Sequence, residues 1–459
     1  MYQDQFASFS VQPHPSGVHA DAPLRVGMLG LGTVGSGTYR VLQRNAGLIA
    51  ARTGRRIEMT RVAVRNLASA ASIVGREVVL TDDPLALVTH PEIDVVVEVM
   101  GGTTLARDLV LQAIRHGKHV VTANKALLAV HGCEIFAAAQ AHGVVVAYEG
   151  AVAVSIPIIK ALREGLAANH IEWVAGIING TTNYILSEMK TQGLSFAAAL
   201  ANAQALGYAE ADPAFDVQGI DAAHKLTLLA ANAFGAPVQF DQMHVEGITA
   251  LDAVDISLAE QMGYCVKLLG LAHRTPHGLA LRVHPTLIAA DHLLAQVNGS
   301  MNAVMVKSDA AGITLYYGAG AGSEQTASAV IADLVDVCRA SATPARHRVP
   351  SLAFQHEAMA AMPVLSLDEL PTAYYLRLNV PQPTPGVPAL LAQLSEAGVW
   401  VRQVKVLAHP SDPLLSAVLV LTEPTPGRVM REVVAELAQL PEVTGAVTLL
   451  RMADLSQVE

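Results

Sequence analysis

Residues 24–29 (LRVGML) form a short apolar run that ends at a glycine, and from residue 38 (TYRVLQRNAGLIAA) the apolar positions change to helical spacing. The same change recurs along the first third of the chain. Strand-like runs at 57–64 (IEMTRVAV), 94–100 (DVVVEVM), 119–122 (HVVT) and 144–148 (VVVAY) alternate with helical stretches. The run at 94–100 is nearly all β-branched, as expected of a parallel strand buried on both faces. This alternation predicts an α/β fold built on a doubly wound parallel sheet over residues 24–150.

From about residue 151 the rhythm becomes irregular. A strand is expected at 171–178, a buried helix through the uncharged run 226–240, and strands at 279–283 and 303–306. These predict an inserted α+β domain over 151–317. A glycine-rich run, Tyr317-Gly318-Ala319-Gly320-Ala321-Gly322, then leads into a helical stretch at 326–338, so that 318–340 would complete the first domain. Prolines 344, 350, 363 and 371 mark 341–370 as a linker. Strands at 374–380, 399–407, 417–421 and 444–450, with helices at 387–396 and 427–439, give the order β-α-β-β-α-β over 371–455, which is ferredoxin-like. Residues 1–23 carry no such pattern and read as a loosely ordered tail without the features of a signal peptide.

Composition narrows the class. At 459 residues the chain exceeds a single core, so several domains are expected. Its net charge of −10 argues against a nucleic-acid surface. No apolar run is long enough to span a membrane. Cys133, Cys265 and Cys338 are too scattered for a disulfide framework or a metal site, which fits a reducing cytoplasm.

The first chemical motif is Gly30-Leu31-Gly32-Thr33-Val34-Gly35, set between a strand and a helix as a dinucleotide turn requires. Gly30 allows the tight turn, Gly32 admits a pyrophosphate, and Gly35 lets the helix pack close. Thr33 and Val34 open the helix, whose N-terminus favours phosphate. At the end of the second strand, where an NAD site usually has an acid, the chain has Arg65. A guanidinium there suits the 2′-phosphate of NADP, which is the favoured reading over NAD; the alternative is a solvated arginine at a strand end. Gly101-Gly102 ends the third run and would let backbone approach the cofactor. Lys125 follows the fourth, at the sheet edge where ligands bind.

The densest chemistry lies at 206–225, LGYAEADPAFDVQGIDAAHK. It holds Glu210, Asp212, Asp216 and Asp221 and ends at Lys225, in a chain that is only 15% charged. Asp221 and Lys225 are one helical turn apart and share a face. Two readings compete: a solvated loop with a surface ion pair, or a pocket for an amino group beside a lysine proton donor. Two lysines converging there would lower each other's pKa. At 179–182 the chain reads Asn-Gly-Thr-Thr, where threonine hydroxyls would cap a helix or accompany a bound carboxylate.

The motifs LGLGTVGSG, VVTANKALLA, GIINGTTNYILSEM and LGYAEADPAFDVQGIDAAHK, in this order, resemble homoserine dehydrogenase from residue 24 to about residue 338. The resemblance implies NAD(P)H-dependent, reversible reduction of aspartate 4-semialdehyde to homoserine, toward threonine, methionine and isoleucine. It implies that Lys225 is the proton donor, oriented by Asp221, with Lys125 between cofactor and substrate. Glu210 and Asp216 would hold the substrate ammonium, and Gly180 and Thr181 would contact substrate. The loop ending at Gly322 would close over the nicotinamide. A sodium ion would take Glu149 and the carbonyls of Val152, Val154 and Ile156, although Val154-Ser155 replaces the usual glycines. The last domain is similar to an ACT module, but it lacks the usual aspartate near residues 381–386 and has Val406 in place of glutamine. Threonine sensing and a purely structural dimerisation sheet both remain open for it. The family is dimeric or tetrameric.

Two rival functions fit the residues less well. A semialdehyde dehydrogenase needs an activated cysteine, and Cys133 lies in a helical run. A non-catalytic amino-acid sensor would not need the set Lys125, Glu210, Asp221 and Lys225.

Overall fold

A computed structural model describes residues 22–384, 386–410 and 412–455. The tail expected at 1–23 therefore lies outside the described residues except for Ala22 and Pro23, whose carbonyls accept from the Arg55 guanidinium. Pro385, within the departure noted above, is also outside.

The first sheet contains β1 (Leu24–Leu29), β2 (Ile57–Ala63), β3 (Val79–Thr81), β4 (Val95–Glu98), β5 (His119–Thr122) and β6 (Val146–Ala147). Their order is β3-β2-β1-β4-β5-β6, with all pairs parallel. The β-branched runs sit where burial on both faces demands them: Val95, Val96, Val97, Val120 and Val121 are fully buried. The chain winds outward from β1 to β3, then crosses to β4 on the other side of β1. That reversal opens a crevice at the carboxyl ends of the strands. Gly30, Arg65, Gly101, Lys125 and Glu149 all follow strands of this sheet on that edge.

The second sheet is mixed. It contains β7 (Ile171–Ile177), β8 (His244–Val245), β9 (Tyr264–Thr275), β10 (Gly278–Ala289), β11 (Met301–Ser308), β12 (Gly312–Ala319), β13 (Pro371–Pro381), β14 (Val401–Ala408), β15 (Leu415–Thr422), the two-residue β16 (Thr425–Pro426) beside β13, and β17 (Thr448–Met452). Its main path runs β12-β11-β7-β9-β10-β17-β13-β15-β14. The last four strands with helices Val387–Glu396 and Gly427–Leu437 form the expected ferredoxin-like β-α-β-β-α-β. They are not a detached module. The parallel pair Thr286↔Arg451 and Leu287↔Met452 makes one sheet continuous across both halves. A buried ion pair, Arg377 to Asp255, ties β13 to helix Ala253–Gln261.

Helix Ser323–Ala340 returns to the first sheet. Ala327, Val330, Leu334 and Val337 share a core with Val26, Met28 and Val97. The Ser323 hydroxyl donates to the Thr33 carbonyl at 2.6 Å, and Arg44 pairs with Glu324.

Several expectations shift. The buried helix expected at 226–240 runs Ile220–Phe234, because Gly235 takes φ 66° and stops it. Of the glycine-rich run at 317–322, the first three residues belong to β12, where Gly318 pairs with Asn302. The hairpin β9–β10 has twelve residues in each strand, of which only the short stretch 279–283 was legible. Burial on both faces removes the alternation that would mark the rest. No helix among the described residues is long and apolar enough to cross a membrane.

Candidate functional site

The glycine turn is built as its motif requires. Gly30 has φ 96°, and a β-carbon on Gly35 would collide with the Gly30 carbonyl. Around Gly32 nothing lies within 4 Å of where a β-carbon would stand. Helix Thr33–Arg44 has no side-chain cap, so its first N–H groups face open space ready for phosphate. Thr33 is exposed, while Val34 packs on the core. Gly101 and Gly102 have φ 76° and 77° and likewise leave space beside them. Gly322, at φ 133°, precedes helix Ser323–Ala340. Arg65 is exposed at the end of β2 and has no ion pair among the described residues.

Residues outside the recognised motifs hold this edge together. Glu98, fully buried at the end of β4, accepts the N–H groups of Met100 at 3.0 Å and Gly101 at 3.1 Å and the Thr122 hydroxyl at 2.7 Å. Burial raises its pKa. Asn124 caps helix Lys125–Ala141 and donates to the Gly102 carbonyl at 2.7 Å. The Gly101-Gly102 turn and the start of the Lys125 helix are thereby one unit.

The 206–225 segment brings its charges inward. Helix Ile220–Phe234 begins after Gly219, which takes φ 84°. Asp221 and Lys225 are 4% and 6% exposed, which excludes a surface ion pair. The Lys225 ammonium donates to Asp221 Oδ2 at 2.7 Å and to the Ile178 carbonyl at 2.7 Å. The other Asp221 oxygen meets Lys125 Nζ at 2.9 Å. A residue not foreseen, Asn179, donates to Asp221 Oδ2 at 2.8 Å and to Asp216 Oδ1 at 2.7 Å. Asn179 also corrects the reading of the second helix start. Its side chain, not a threonine hydroxyl, caps helix Gly180–Gln192 by accepting from the Thr182 N–H. Thr181 instead donates to the Tyr208 carbonyl at 2.6 Å, which ties this helix start to the acidic loop. A β-carbon at Gly180 would press on the Ser300 carbonyl at 2.7 Å, so only glycine fits. Asparagine at a strand end before Gly-Thr-Thr is an N-cap signal, and could have been found that way.

Asp216 is half-buried, and its pKa is raised by burial and by the charge of Asp221. Glu210 is exposed and contributes field, not contact: it helps raise the pKa of Lys125. Asp212 shapes the loop, accepting from the Ala214 N–H. His224 packs edge-on between Phe215 and Phe240.

The two lysines diverge. Desolvation lowers the pKa of Lys225, and neighbouring Lys125 lowers it further against the pull of Asp221. Desolvation opposes the charge of Lys125 too, but Asp221, Asp216 and Glu210 outweigh it and raise its pKa. The expected mutual lowering is thus one-sided, because Lys125 is nearer solvent: its side chain is 33% exposed against 7% for Lys225. Asp221 is held ionised: burial works against its charge, and the two ammonium groups more than reverse that.

Glu149 follows β6 and is buried. Its two oxygens accept the N–H groups of Ile159 at 2.9 Å and Lys160 at 2.8 Å. Val154 takes φ 54°, a conformation that costs a β-branched residue about 1–3 kcal/mol. The turn is held there although no glycine occupies it. Each Glu149 oxygen keeps a lone pair, so a carboxylate with main-chain oxygens from a constrained turn fits a hard monovalent cation. Among the described residues no cluster of three His, Cys, Asp or Glu side chains could hold a metal. Cys133 lies in helix Lys125–Ala141, where its thiol meets the Val238 carbonyl.

Comparison with known proteins points to one family. Residues 30–149 match the NAD-binding domain of homoserine dehydrogenase, and residues 157–335 match the homoserine dehydrogenase family proper. The chain is 53% identical to a homoserine dehydrogenase of Pseudomonas aeruginosa over 95% of this chain and 100% of that protein. It is 48% identical to one of Neisseria gonorrhoeae over 94% and 99%. The crystal structure of a homoserine dehydrogenase from Thiobacillus denitrificans superposes with a TM-score of 0.90 at 53% identity, covering 95% of this chain and 99% of that one. With a dinucleotide-type turn, a lysine–aspartate–lysine set and relatives matched along nearly their whole length, the chain belongs to the homoserine dehydrogenase family.

Proposed function

We propose that this protein reduces aspartate 4-semialdehyde to homoserine, reversibly, as a step toward threonine, methionine and isoleucine. The observation that carries the reading is the buried Lys225 ammonium with Asp221. An ammonium has three donors; Asp221 and Ile178 take two of those on Lys225, and the third remains for a substrate oxygen. The bound nicotinamide supplies the hydride to the aldehyde carbon. Lys225 gives the proton to the developing alkoxide, and its lowered pKa makes that transfer easier. Asp221 orients Lys225 and balances the charge of both lysines. Lys125, more exposed, supports the alkoxide charge and returns a proton from solvent. Glu210 and Asp216 attract the substrate ammonium. Gly180 and Thr181, at a helix start, suit the substrate carboxylate.

The cofactor preference we assign is NADP over NAD, because Arg65 is a free cation at the end of β2. The phosphates would lie on Gly30, Gly32, Thr33, Val34 and Gly35, with Gly101, Lys125 and Gly322 nearer the ring. A sodium ion would be held by Glu149 and the carbonyls of Val152, Val154 and Ile156, where it would stiffen the turn joining the two sheets. The division into a dinucleotide domain (24–150 with 318–340), a substrate and dimerisation domain (151–317), a linker (341–370) and an ACT-like domain (371–455) is ours. So are a cytoplasmic location, a homodimeric or homotetrameric state and a threonine effector on the last domain. Absorbance at 340 nm with homoserine and NADP or NAD tests the activity (the wavelength is that of any reduced nicotinamide). No change with either cofactor would end the proposal.

A further inference from the structure

Among the described residues every buried asparagine but one uses its side-chain amide. Asn179, Asn183 and Asn232 each donate from Nδ2. Asn302, on β11 and wholly buried, uses neither end: Nδ2 and Oδ1 both lack a hydrogen-bond partner. A side-chain amide carries two donors and an acceptor, and leaving them unmade away from water is unfavourable. An apolar side chain of similar size would fill the same space without that cost, so the amide calls for a cause beyond packing.

Its surroundings supply one. Asn302 lies under the glycine-rich loop, and a β-carbon on Gly320 would collide with its amide. The missing side chain is what lets the loop lie across the amide. Gly318, the strand partner of Asn302, is bare for a like reason: a β-carbon there would meet the Ser155 hydroxyl at 2.6 Å. Beyond this point the loop is unbonded. The N–H groups of Gly320, Ala321 and Gly322 make no hydrogen bond among the described residues, and Ala321 and Gly322 are exposed. An unused buried amide thus lies beside a run of unused peptide groups, each with the donors and acceptors that the other needs.

We propose that Asn302 is a positioning residue for the cofactor: when the nicotinamide end binds, the peptide groups of 320–322 take up the Asn302 amide and the loop is fixed. The proposal rests on the nicotinamide cofactor assigned above.

The loop is placed for this. At one end Ala303, next to Asn302, pairs with Ile177, and the following carbonyl, that of Ile178, accepts from Lys225. At the other end the Ser323 hydroxyl donates to the Thr33 carbonyl in the dinucleotide turn. The loop therefore runs from the anchor of Lys225 to the turn that suits a pyrophosphate. A dinucleotide with its phosphates on that turn and its reacting ring toward Lys225 would lie along it. The unmade hydrogen bonds weigh on the empty form alone. Making them on binding adds to cofactor affinity, because a ligand shifts a loop only by favouring one of its conformations.

Thermal unfolding of the cofactor-free chain and fluorescence titration with NADPH test this without turnover. Asn302→Leu should hold or raise the melting temperature of the cofactor-free chain, because a buried group without partners is gone. The same variant should bind NADPH about tenfold more weakly, the order expected for the hydrogen bonds of one side chain. 2′-Phospho-ADP-ribose, which has no nicotinamide, should bind both forms alike. Stability and affinity falling together would make Asn302 ordinary packing and overturn the proposal. An equal loss with 2′-phospho-ADP-ribose would do the same. Gly320→Ala gives a second reading that does not depend on the leucine variant. Its methyl pushes the loop off the amide, so NADPH should again bind about tenfold more weakly. Adding Asn302→Ala makes room for that methyl: the melting temperature should recover and the NADPH affinity should not. Recovery of both would show that Asn302 only fills space. Wild-type binding of NADPH with Asn302→Leu unaffected overturns this proposal alone, whereas a wild type that binds neither NADPH nor NADH removes the assigned cofactor with it.

Discussion

Lys125 and Lys225 approach opposite oxygens of a single carboxylate. Asp221 Oδ1 meets Lys125 at 2.9 Å and Oδ2 meets Lys225 at 2.7 Å. One lysine comes from the edge of the parallel sheet and the other from a helix on the mixed sheet, so the pair spans the junction of the two. The aspartate lets two cations share a pocket that would otherwise expel one of them.

Lys225→Met should lower turnover by about 10²–10⁴-fold, the usual worth of a positioned acid. NADPH titration by fluorescence should be unchanged, because Lys225 bonds to Asp221 and the Ile178 carbonyl and not to the glycine turn. Turnover near wild type would shift the acid to Lys125.

Asp221→Asn leaves two ammonium groups facing each other. Stability should fall by about 3–5 kcal/mol in urea unfolding, as for a broken buried pair. The loss should be pH-dependent. Asp221 has a depressed folded pKa, so its contribution is complete above the unfolded value of about 3.9 and fades as pH falls below it. Wild type and variant should therefore converge in stability on acidification. A constant difference down to low pH would contradict the assigned charge.

Rate should depend on pH through Lys225. With Lys225 as the proposed acid, reduction uses its protonated form, and burial with Lys125 lowers its pKa, so the aldehyde-reducing rate should drop on the alkaline side earlier than for an ordinary lysine. Lys125→Met removes the nearby cation. The alkaline limb should then move to higher pH, whatever the loss in absolute rate. An unmoved limb would mean that the two ammonium groups do not sense each other.

Asn179→Ala should cost about 1 kcal/mol for the lost cap. It also removes the donor shared by Asp216 and Asp221, so kcat and homoserine KM should both worsen. Asn179→Ser should restore the cap and the melting temperature but not the kinetics. Full kinetic rescue by serine would reduce Asn179 to a helix cap.

Arg65→Ser should lower kcat/KM with NADP about tenfold or more and leave NAD nearly untouched, since a guanidinium contributes to the phosphate alone. Equal losses with both cofactors would remove the role given to Arg65.

How far the residues speak for themselves differs along the chain. The glycine turn, β1 and β5 were legible to the residue, because local sterics and a one-dimensional apolar pattern dictate them. The 206–225 segment was ambiguous: the i, i+4 spacing of Asp221 and Lys225 is the same on a surface as in a core. Burial decided it, and burial depends on β7, the Asn179 cap and the Lys125 helix, which arrive from distant parts of the chain. Asn179, Glu98 and Asn124 were overlooked for the same reason. Their function is to join segments: Asn179 and Asn124 carry a local N-cap signal, but the distant groups they tie together have none. The lysine pKa values also needed the fold, since their divergence follows from unequal access to water. The sequence by itself determined which elements form and which chemical groups are present. Only the tertiary structure decided which charges share a pocket, because electrostatic energy depends on distance and dielectric, and neither is written in the order of residues.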